Sequence, residues 1–353
     1  MSKTRVDDVS GRRLSRRQLL RAGGGFAALA MGAGAPLVAA SPASAAGDPL
    51  VSPHFVLAGN GGNPVLKATL HQPYWAMQSF AYDHVNAQMY FAQHRVGTSA
   101  GHNGDLWISR TDLAGNVLGA STIQGFGHGS SMGVESAGAG ALPYLWIEGG
   151  DSDDNGAGET LARFRYADGM VLKYTDPVTP IWNRTPTFDS FAKLPRPAID
   201  PYANRLLIRY ATQEPADRVW RIAVFSMADA VAGRLGQGNR IAERAIPNND
   251  ELGLTDADLF QGIALCGRFA YLLYGGPNRT SYLVTLDLNA TGGAYYDKFA
   301  TGAGASLNGR EAQGMAIWMA SGAPRLAFGY SSRQTADTDH FEASVFYKSD
   351  FIS

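Results

Sequence analysis

The residues of this 353-residue chain that are best suited to chemistry are histidines and arginines, and their distribution is uneven. Five of the seven histidines lie between residues 71 and 128, whereas arginines supply most of the candidate polar positions further along the chain. Histidine can move a proton near neutral pH, and arginine can hold a carboxylate or phosphate through paired hydrogen bonds. Gathered at one site, they could bind an acidic sugar and transfer a proton on it.

Each candidate histidine also has a structural interpretation. His128 lies between two glycines and could cap a turn, and His94 could be a surface residue at the end of an aromatic strand. His71 precedes Gln72-Pro73 and could hydrogen-bond to a neighbouring loop. His102 lies in a Gly/Ser/Asn-rich loop, where a solvated side chain is the simpler interpretation. The sequence therefore leaves both a catalytic and a structural role open for these side chains.

Other chemistries find little support in the sequence. It contains no cysteine or histidine spacing typical of a zinc site, no HExxH, no GxSxG and no Walker loop. The segment from Asp151 to Gly156 resembles the first half of a calcium loop, but Ala162 stands where the twelfth-position glutamate is required. An exposed acidic turn is the simpler interpretation. No metal or cofactor is required, although a structural Ca²⁺ remains an open possibility.

Paired carboxylates for glycoside hydrolysis also remain open. The available side chains are Glu135, Glu148, Asp151 and Glu311. Glu135, however, aligns with Asp83 and Asp200 in the repeat described next, so that a role in forming a turn is the simpler interpretation.

The elements that position these residues form a repeat. A first strand recurs at Phe80, Met132, Pro197, Ile263 and Met315, each followed about ten residues later by an aromatic-rich second strand. Three of these units begin with glutamine, a small residue, an apolar residue and alanine. Multi-strand repeats of this size predict an all-β fold, a five-bladed β-propeller forming one domain. A β-sandwich with accidental similarity is the alternative.

Propeller geometry predicts which residues meet. The loop before the first strand and the loop between the second and third strands open on the same face of a propeller. The candidates on this face include four histidines, five glutamines and several arginines and acids: His71, Gln72, Gln78, His94, Arg95, His102, Gln124, His128, Glu148, Asp151, Arg196, Arg209, Gln261, Arg279, Glu311, Gln313 and Arg333. We further expect Phe80, Met132, Ile263 and Met315 to lie beside the central channel.

The N-terminal segment predicts export. Ser15-Arg16-Arg17-Gln18-Leu19-Leu20 is a twin-arginine motif, followed by a weakly apolar run and a small-residue cleavage site near Ala45. We therefore expect residues 1–45 to be a signal peptide, residues 46–64 a linker with a first strand, and residues 65–353 the propeller. Export of the folded protein agrees with the single cysteine, Cys266, which we expect to be buried.

Charge limits the partners of the mature chain. Residues 1–45 carry seven basic and two acidic residues, so their removal changes the formal net charge from −1 to −6. An acidic exported protein is poorly suited to nucleic acid, and no membrane segment remains after signal removal. We expect a secreted monomer whose anionic partner, if any, is held by local arginines.

Several motifs carry a family resemblance. QSFAYD at 78–83, QHR at 93–95, GFGHGSSMGVE at 125–135 and YLWIE at 144–148 resemble the propeller shared by phage tail receptor-binding proteins and proteins like teichoic acid biosynthesis protein C. The resemblance covers roughly residues 65–350. It implies an acidic or phosphorylated glycan as the partner. The group contains both glycan binders and rhamnose–glucuronate polysaccharide lyases.

The preferred hypothesis is therefore a carbohydrate-active propeller that cleaves a uronate-containing glycan by β-elimination. His71, His94 or His128 would remove the C5 proton, and a second histidine or Tyr144 would protonate the leaving oxygen. Arg163 or Arg209 would neutralise the carboxylate. Further substrate-binding candidates are Gln78, Gln261, Gln313 and Arg333, although the glutamines could simply satisfy backbone groups and water at the channel mouth. The alternatives are a non-catalytic glycan- or teichoic-acid-binding propeller and a structural or signalling scaffold.

Overall fold

The computed structural model describes residues 50–59, 64–95, 104–151, 157–187, 193–212, 219–290 and 294–352, all within one compact unit. Their regular structure is almost entirely β. The exceptions with defined bounds are a single-turn helix, α1 (Met227–Val231), and a short 3₁₀ turn at Gln237–Asn239. No helix in the described ranges is long and apolar enough to cross a membrane.

The strands form five twisted sheets, or blades, arranged around an axis. Two strands precede the first blade: β1 (His54–Phe55) and β2 (Leu66–Ala68). Blade 1 contains β3 (Met77–Asp83), β4 (Gln88–His94), β5 (Leu106–Asp112) and β6 (Val117–Gln124). Blade 2 contains β7 (Met132–Glu135), β8 (Tyr144–Asp151), β9 (Gly158–Arg165) and, after β10 (Val171–Lys173), β11 (Ile181–Asn183). β10 itself pairs in parallel with β6 and so adds a fifth strand to blade 1.

The remaining strands complete the ring. Blade 3 contains β12 (Lys193–Asp200), β13 (Arg205–Ala211), β14 (Trp220–Ser226) and β15 (Ala242–Ala245). Blade 4 contains β16 (Leu259–Cys266), β17 (Phe269–Gly275), β18 (Ser281–Asp287) and β19 (Asp297–Thr301). Blade 5 contains β20 (Asn308–Ala320), β21 (Ala323–Arg333) and β22 (Phe341–Lys348), and β23 (Phe351–Ile352) pairs with β1.

The five-bladed propeller predicted from the repeat is confirmed, and the β-sandwich is wrong. The first strand of every blade contains the predicted repeat position, an aromatic-rich second strand follows it, and within each blade these strands pair antiparallel. The ring is closed by β2, which supplies the fourth, outermost strand of blade 5 by pairing Leu66 with Val345 and Ala68 with Ala343. Strands from opposite ends of the domain therefore share one sheet.

Small residues allow the inner strands to converge. Ala81, Gly133, Ala198, Ala264 and Ala316 occupy equivalent positions of the five blades and line an axial cavity of only about 20 Å³. The residue before each small one is larger, and it faces the cavity in some blades and a neighbouring blade in others.

The lining of the axial cavity corrects part of one expectation. Met132 and Met315 do line the axial cavity, as predicted. Phe80 and Ile263 do not, because they are fully buried between blades, Phe80 beside residues of blade 5 and Ile263 beside residues of blade 3.

Two acidic residues form the turns that follow the first strands. Asp83 accepts hydrogen bonds from the backbone N–H groups of Val85 and Asn86, and Asp200 accepts from those of Tyr202 and Ala203. Cys266 is fully buried, as expected, and burial raises the pKa of its thiol.

Candidate functional site

A pocket of about 550 Å³ opens where the inner strands of the blades begin. It gathers six of the residues predicted for the site: Gln78, His94, His128, Arg209, Gln261 and Gln313. Arg196 and Glu311, which were expected on the same face, also line it. Sequence reasoning missed the apolar part of the wall, which consists of Ala157, Leu194, Trp220, Leu259 and Phe260.

The three glutamines occupy β-bulges at the start of the inner strands. The pairing register shifts between Met77 and Ser79, between Phe260 and Gly262, and between Ala312 and Met315, so that Gln78, Gln261 and Gln313 fall within the irregular steps. A bulge redirects the side chain of its extra residue. The recurring glutamine in the sequence therefore marks a repeated structural device that presents amides to the pocket.

Glycines permit the close approach of neighbouring bulges. Gly314 has φ of +82°, and a Cβ atom on it would lie 2.8 Å from the Cα of Ser79 in the adjacent blade. A Cβ on Gly262 would lie 2.8 Å from the carbonyl carbon of Gly314. Only glycine accommodates both the left-handed backbone and this spacing at residue 314.

Glu311 is held by the glutamines. Its carboxylate accepts a hydrogen bond from Nε2 of Gln261 at 3.1 Å. Burial raises the pKa of Glu311, and hydrogen bonds from Gln261 and Gln313 partly oppose this shift. The carboxyl group therefore binds a proton more readily than a solvated glutamate does.

A second carboxylate, Glu148, is fully buried behind the pocket wall. It accepts hydrogen bonds from the backbone N–H groups of Gly129 (2.5 Å) and Gly158 (2.6 Å) and forms an ion pair with Arg196. Arg196 also donates to the hydroxyl of Ser130 at 2.8 Å. This buried pair joins blades 2 and 3 and fixes the loop that carries His128. These contacts hold the carboxylate of Glu148 behind the pocket wall.

His94 and His128 form a pair on the pocket wall. Their ring centroids are 4.2 Å apart with the planes at 89°, an edge-to-face arrangement. Nε2 of His94 lies 2.8 Å from the carbonyl oxygen of His128. Because a carbonyl oxygen can only accept, this contact places a proton on Nε2 of His94. The two imidazoles are thus oriented by each other and by the backbone.

Arg209 packs against two aromatic rings of the pocket wall. Its guanidinium carbon lies 3.4 Å from the ring centroid of Trp220 and 3.8 Å from that of Phe260. Both rings are half-buried and lie on neighbouring blades. Stacking of this kind holds a guanidinium in a fixed plane.

Two predicted residues lie at the other end of blade 2, so placing them in the same site was wrong. Tyr144 begins β8, opposite Glu135, whereas the pocket lies where β8 ends. Arg163 donates to both carboxylate oxygens of Glu135, at 2.7 and 2.8 Å, and its guanidinium carbon lies 3.8 Å from the Tyr144 ring centroid. Glu135 also accepts from the indole N–H of Trp146, so it is the centre of a cluster, not the expected turn former.

Two other predicted residues also lie outside the pocket. His71 lines a separate depression on blade 1. Arg333 donates to the carbonyl oxygen of Thr338 at 3.0 Å and to Asp339 at 3.1 Å. His102 and residues 152–156 of the calcium-like segment lie outside the described residues. Within the described ranges, no group of three His, Cys, Asp or Glu side chains is arranged to hold a metal ion.

These features define a class of protein, a five-bladed β-propeller with a polar and aromatic pocket at one end of its axis. Residues 76–325 match the phage 5-bladed beta propeller receptor binding platform domain, and the chain belongs to this family. The expected resemblance to phage receptor-binding and teichoic acid biosynthesis protein C-like propellers is thereby confirmed.

The individual relatives have low sequence identity to the chain. The chain is 27% identical over 207 residues to the "Putative major teichoic acid biosynthesis protein C" of Bacillus subtilis (strain 168), a match that covers 58% of this chain and 43% of the relative. Its fold is similar to that of the tail fiber of Staphylococcus aureus phage P68, with a TM-score of 0.60 and 19% identity over 84% of this chain and 53% of the fiber. The chain thus spans about half the length of these relatives.

Proposed function

We propose that the pocket binds an anionic glycan, one that carries carboxylate or phosphate groups. The observation that carries this proposal is the position of Arg209, held against Trp220 and Phe260 in a pocket edged by Gln78, Gln261 and Gln313. Sugar recognition uses apolar faces for the ring and planar amides for the hydroxyls, and an oriented guanidinium suits an acidic substituent. The receptor-binding name of the family and the teichoic acid name of the Bacillus relative support the same class of ligand.

Binding measurements on a panel of glycans test this proposal. The panel contains uronate polymers, glycerol phosphate polymers and neutral polysaccharides, and affinity is measured by calorimetry. We expect an anionic polymer to bind, and Arg209→Gln to weaken its binding by about ten- to a hundredfold, the range for loss of a hydrogen bond to a charged group.

A matched control is available at the other end of the propeller. The guanidinium carbon of Arg325 lies 4.7 Å from the ring centroid of Trp318 and 4.6 Å from that of Tyr347, so it is also stacked, but it lies outside the pocket. Arg325→Gln should leave the affinity unchanged. Equal losses in both variants, or binding of neutral polysaccharides alone, would contradict the proposal.

A second candidate function is uronate lysis in the same pocket. The supporting observation is that His94 and His128 lie in one pocket with Arg209. In this reaction Arg209 neutralises the carboxylate, one histidine removes the C5 proton, the electron pair forms the C4–C5 double bond, and the C4–O bond breaks. The leaving oxygen takes a proton from the second histidine. Tyr144, Arg163 and His71 have no part in this version of the mechanism.

Product analysis separates the two functions. If the protein is a lyase, uronate polymers acquire the ultraviolet absorbance of an unsaturated product. His128→Ala should then lower turnover by roughly a hundredfold or more while binding survives, as expected for a general acid or base. His340→Ala, outside the pocket, serves as the control. A wild-type protein that binds uronate polymers without ever producing this absorbance is a binding protein only.

We further propose that the domain is secreted through the twin-arginine pathway, on the evidence of the Ser15–Leu20 motif. Conversion of Arg16 and Arg17 to lysine should block export, because this pathway recognises the arginine pair. The measurement is the fraction of protein outside the cell, with the N-terminus of the exported protein determined by sequencing. Normal export of the double variant, or an exported chain that retains residues 1–45, would refute this proposal.

A further inference from the structure

A second depression, of about 620 Å³, lies along the outer part of blade 1. Its polar wall includes His71, Arg95 and Gln124, with the half-buried indole of Trp107 beside them. Its apolar wall is made by the exposed residues Val117, Leu118 and Val171 of β6 and β10. The pocket of about 550 Å³ that contains Arg209 is called the axial pocket from here on. Both it and the outer depression fall within the size range of ligand sites, about 300–1,000 Å³.

The outer depression contains the positively charged guanidinium of Arg95, which is loosely held. The guanidinium carbon of Arg95 lies 5.1 Å from the ring centroid of Trp107, and the His71 ring centroid lies 5.7 Å from the same ring. Arg95 faces Asp105, but the closest nitrogen–oxygen distance is 3.6 Å, beyond hydrogen-bonding range, and the arginine side chain is 37% exposed. An exposed ion pair of this kind contributes little to stability, so an anionic ligand can compete for the guanidinium.

The axial pocket and the outer depression are lined by two consecutive residues of the chain. His94 lines the axial pocket, and the next residue, Arg95, lines the outer depression. Neighbouring side chains at the end of a strand point to opposite sides, so one short segment forms the rim between the two sites.

We propose that the two depressions are subsites for one polymeric anionic glycan, which crosses the rim at His94 and Arg95. The ligand is therefore an extended stretch of several sugar or alditol phosphate units, not a single sugar or a chain end. This inference rests on the proposed function of the axial pocket. Two connected subsites strengthen binding because the second contact forms within a complex that already exists.

The test is the dependence of affinity on ligand length. The probes are two size series, oligouronides and glycerol phosphate oligomers, each from one unit to polymers, with the full chain as the protein. The expected result is an affinity that rises with length well beyond the few units that fill the axial pocket. Arg95→Gln and, independently, Trp107→Phe should remove about tenfold of the affinity for long oligomers and leave that for the shortest ones unchanged.

A matched control is Arg165→Gln, since the guanidinium carbon of Arg165 also lies 5.1 Å from an aromatic centroid, that of Tyr144, outside both depressions. This variant should bind every oligomer like the wild type. Affinity that does not rise beyond short oligomers, or equal losses for short and long oligomers in Arg95→Gln, overturns the two-subsite inference while leaving the axial site in place. If neither series binds the wild-type protein at all, the proposed function fails and the inference fails with it.

Discussion

Arg196 and Arg209 line the same pocket but are held in different ways. Arg196 pairs with the fully buried Glu148, which also accepts hydrogen bonds from two backbone N–H groups. Removing one partner of such a pair leaves an uncompensated buried charge, which typically costs about 3–5 kcal/mol. Arg209 packs on Trp220 and Phe260. We interpret Arg196 as part of the framework of the pocket, because it is tied to Glu148, and the proposed function assigns the contact with the ligand to Arg209.

Two buried titratable groups far from the pocket predict opposite responses to acid. Asp200 is fully buried, and burial raises its pKa to about 6, although it also accepts a hydrogen bond from the backbone N–H of Gly267 in the next blade. Burial lowers the pKa of His84 to about 4, and its Nδ1 accepts from the backbone N–H of Met319. Both shifts make the free energy of unfolding depend on pH between about 4 and 6.5.

The signs of the two contributions differ. Asp200 binds a proton more readily in the folded state, so its stabilising contribution is present at pH 4 and is lost as the pH rises through about 6. His84 binds a proton less readily in the folded state, so its contribution is present above pH 6.5 and is lost as the pH falls through about 4.

Denaturant unfolding at several pH values measures both effects. On acidification from pH 7 to 4, Asp200→Asn should lose more stability than the wild type, and His84→Asn should lose less. Each difference should be on the order of 2–3 kcal/mol, because one pKa unit corresponds to about 1.4 kcal/mol. Parallel pH profiles for all three proteins would show that neither group has the shifted pKa.

At the residue scale, the sequence predicted those pocket residues whose position depends only on where a strand begins or ends. His94, His128 and Arg209 belong to this group, since the repeat locates the strand ends. Tyr144 and Arg163 were misplaced because Tyr144 begins its strand and Arg163 lies five residues into β9, away from the pocket. Trp220 and Phe260 were missed because an aromatic residue at a strand end looks like an ordinary core residue in one sequence.

At the scale of the elements, the bulged starts of the inner strands give the pocket its shape. The recurring glutamine and small residue indicated where these strands begin. They did not reveal the bulges, because an extra residue in one strand is visible only against the pairing of its partner. The bulges of β3, β16 and β20 bring Gln78, Gln261 and Gln313 to one pocket.

A pair of glycine substitutions tests how tightly these bulges pack. Gly314 and Gly322 have similar φ values of +82° and +80°, but only at Gly314 would a Cβ meet backbone atoms of the neighbouring blade. Gly322→Ala should therefore report the cost of the left-handed backbone alone, about 1–2 kcal/mol. Gly314→Ala should cost about 1–3 kcal/mol more because of the clash.

Both variants are compared with the wild type by thermal and denaturant unfolding, together with glycan affinity. We expect Gly314→Ala also to weaken glycan binding, because it displaces the inner strands that carry Gln78 and Gln313. Gly322→Ala should bind normally. Equal losses of stability in the two variants would mean that the neighbouring strands separate without cost.

At the scale of the whole molecule, the repeat predicted the number of blades but not how the ring closes. The closing strand, β2, contains only three residues and carries no copy of the repeat motif. Its partner, β22, comes from the other end of the domain. Short strands with distant partners leave little trace in a single sequence, because their pairing is determined by the ring and not by local propensity.

Deletion of residues 1–71 tests the closure. The shortened chain lacks β1 and β2, so β22 becomes an unpaired edge strand and buried residues such as Phe55 and Leu57 are lost. We expect a less stable protein that aggregates through this edge. Adding a peptide of residues 46–71 should restore a monodisperse, cooperatively unfolding species, whereas a scrambled peptide should not. A deletion variant as stable and monodisperse as the longer chain would show that β2 is dispensable.

The position of β2 also has a consequence for the rate of folding. During synthesis β2 emerges before any blade, but its partner in blade 5 emerges only after the other four blades. Four blades can acquire their local hairpins early, while the final pairing must close a loop that spans almost the whole domain. Such long-range closure is entropically costly and slow. We therefore expect refolding to show a late phase that coincides with burial of Leu66, and until that phase is complete the molecule is an open arc of blades.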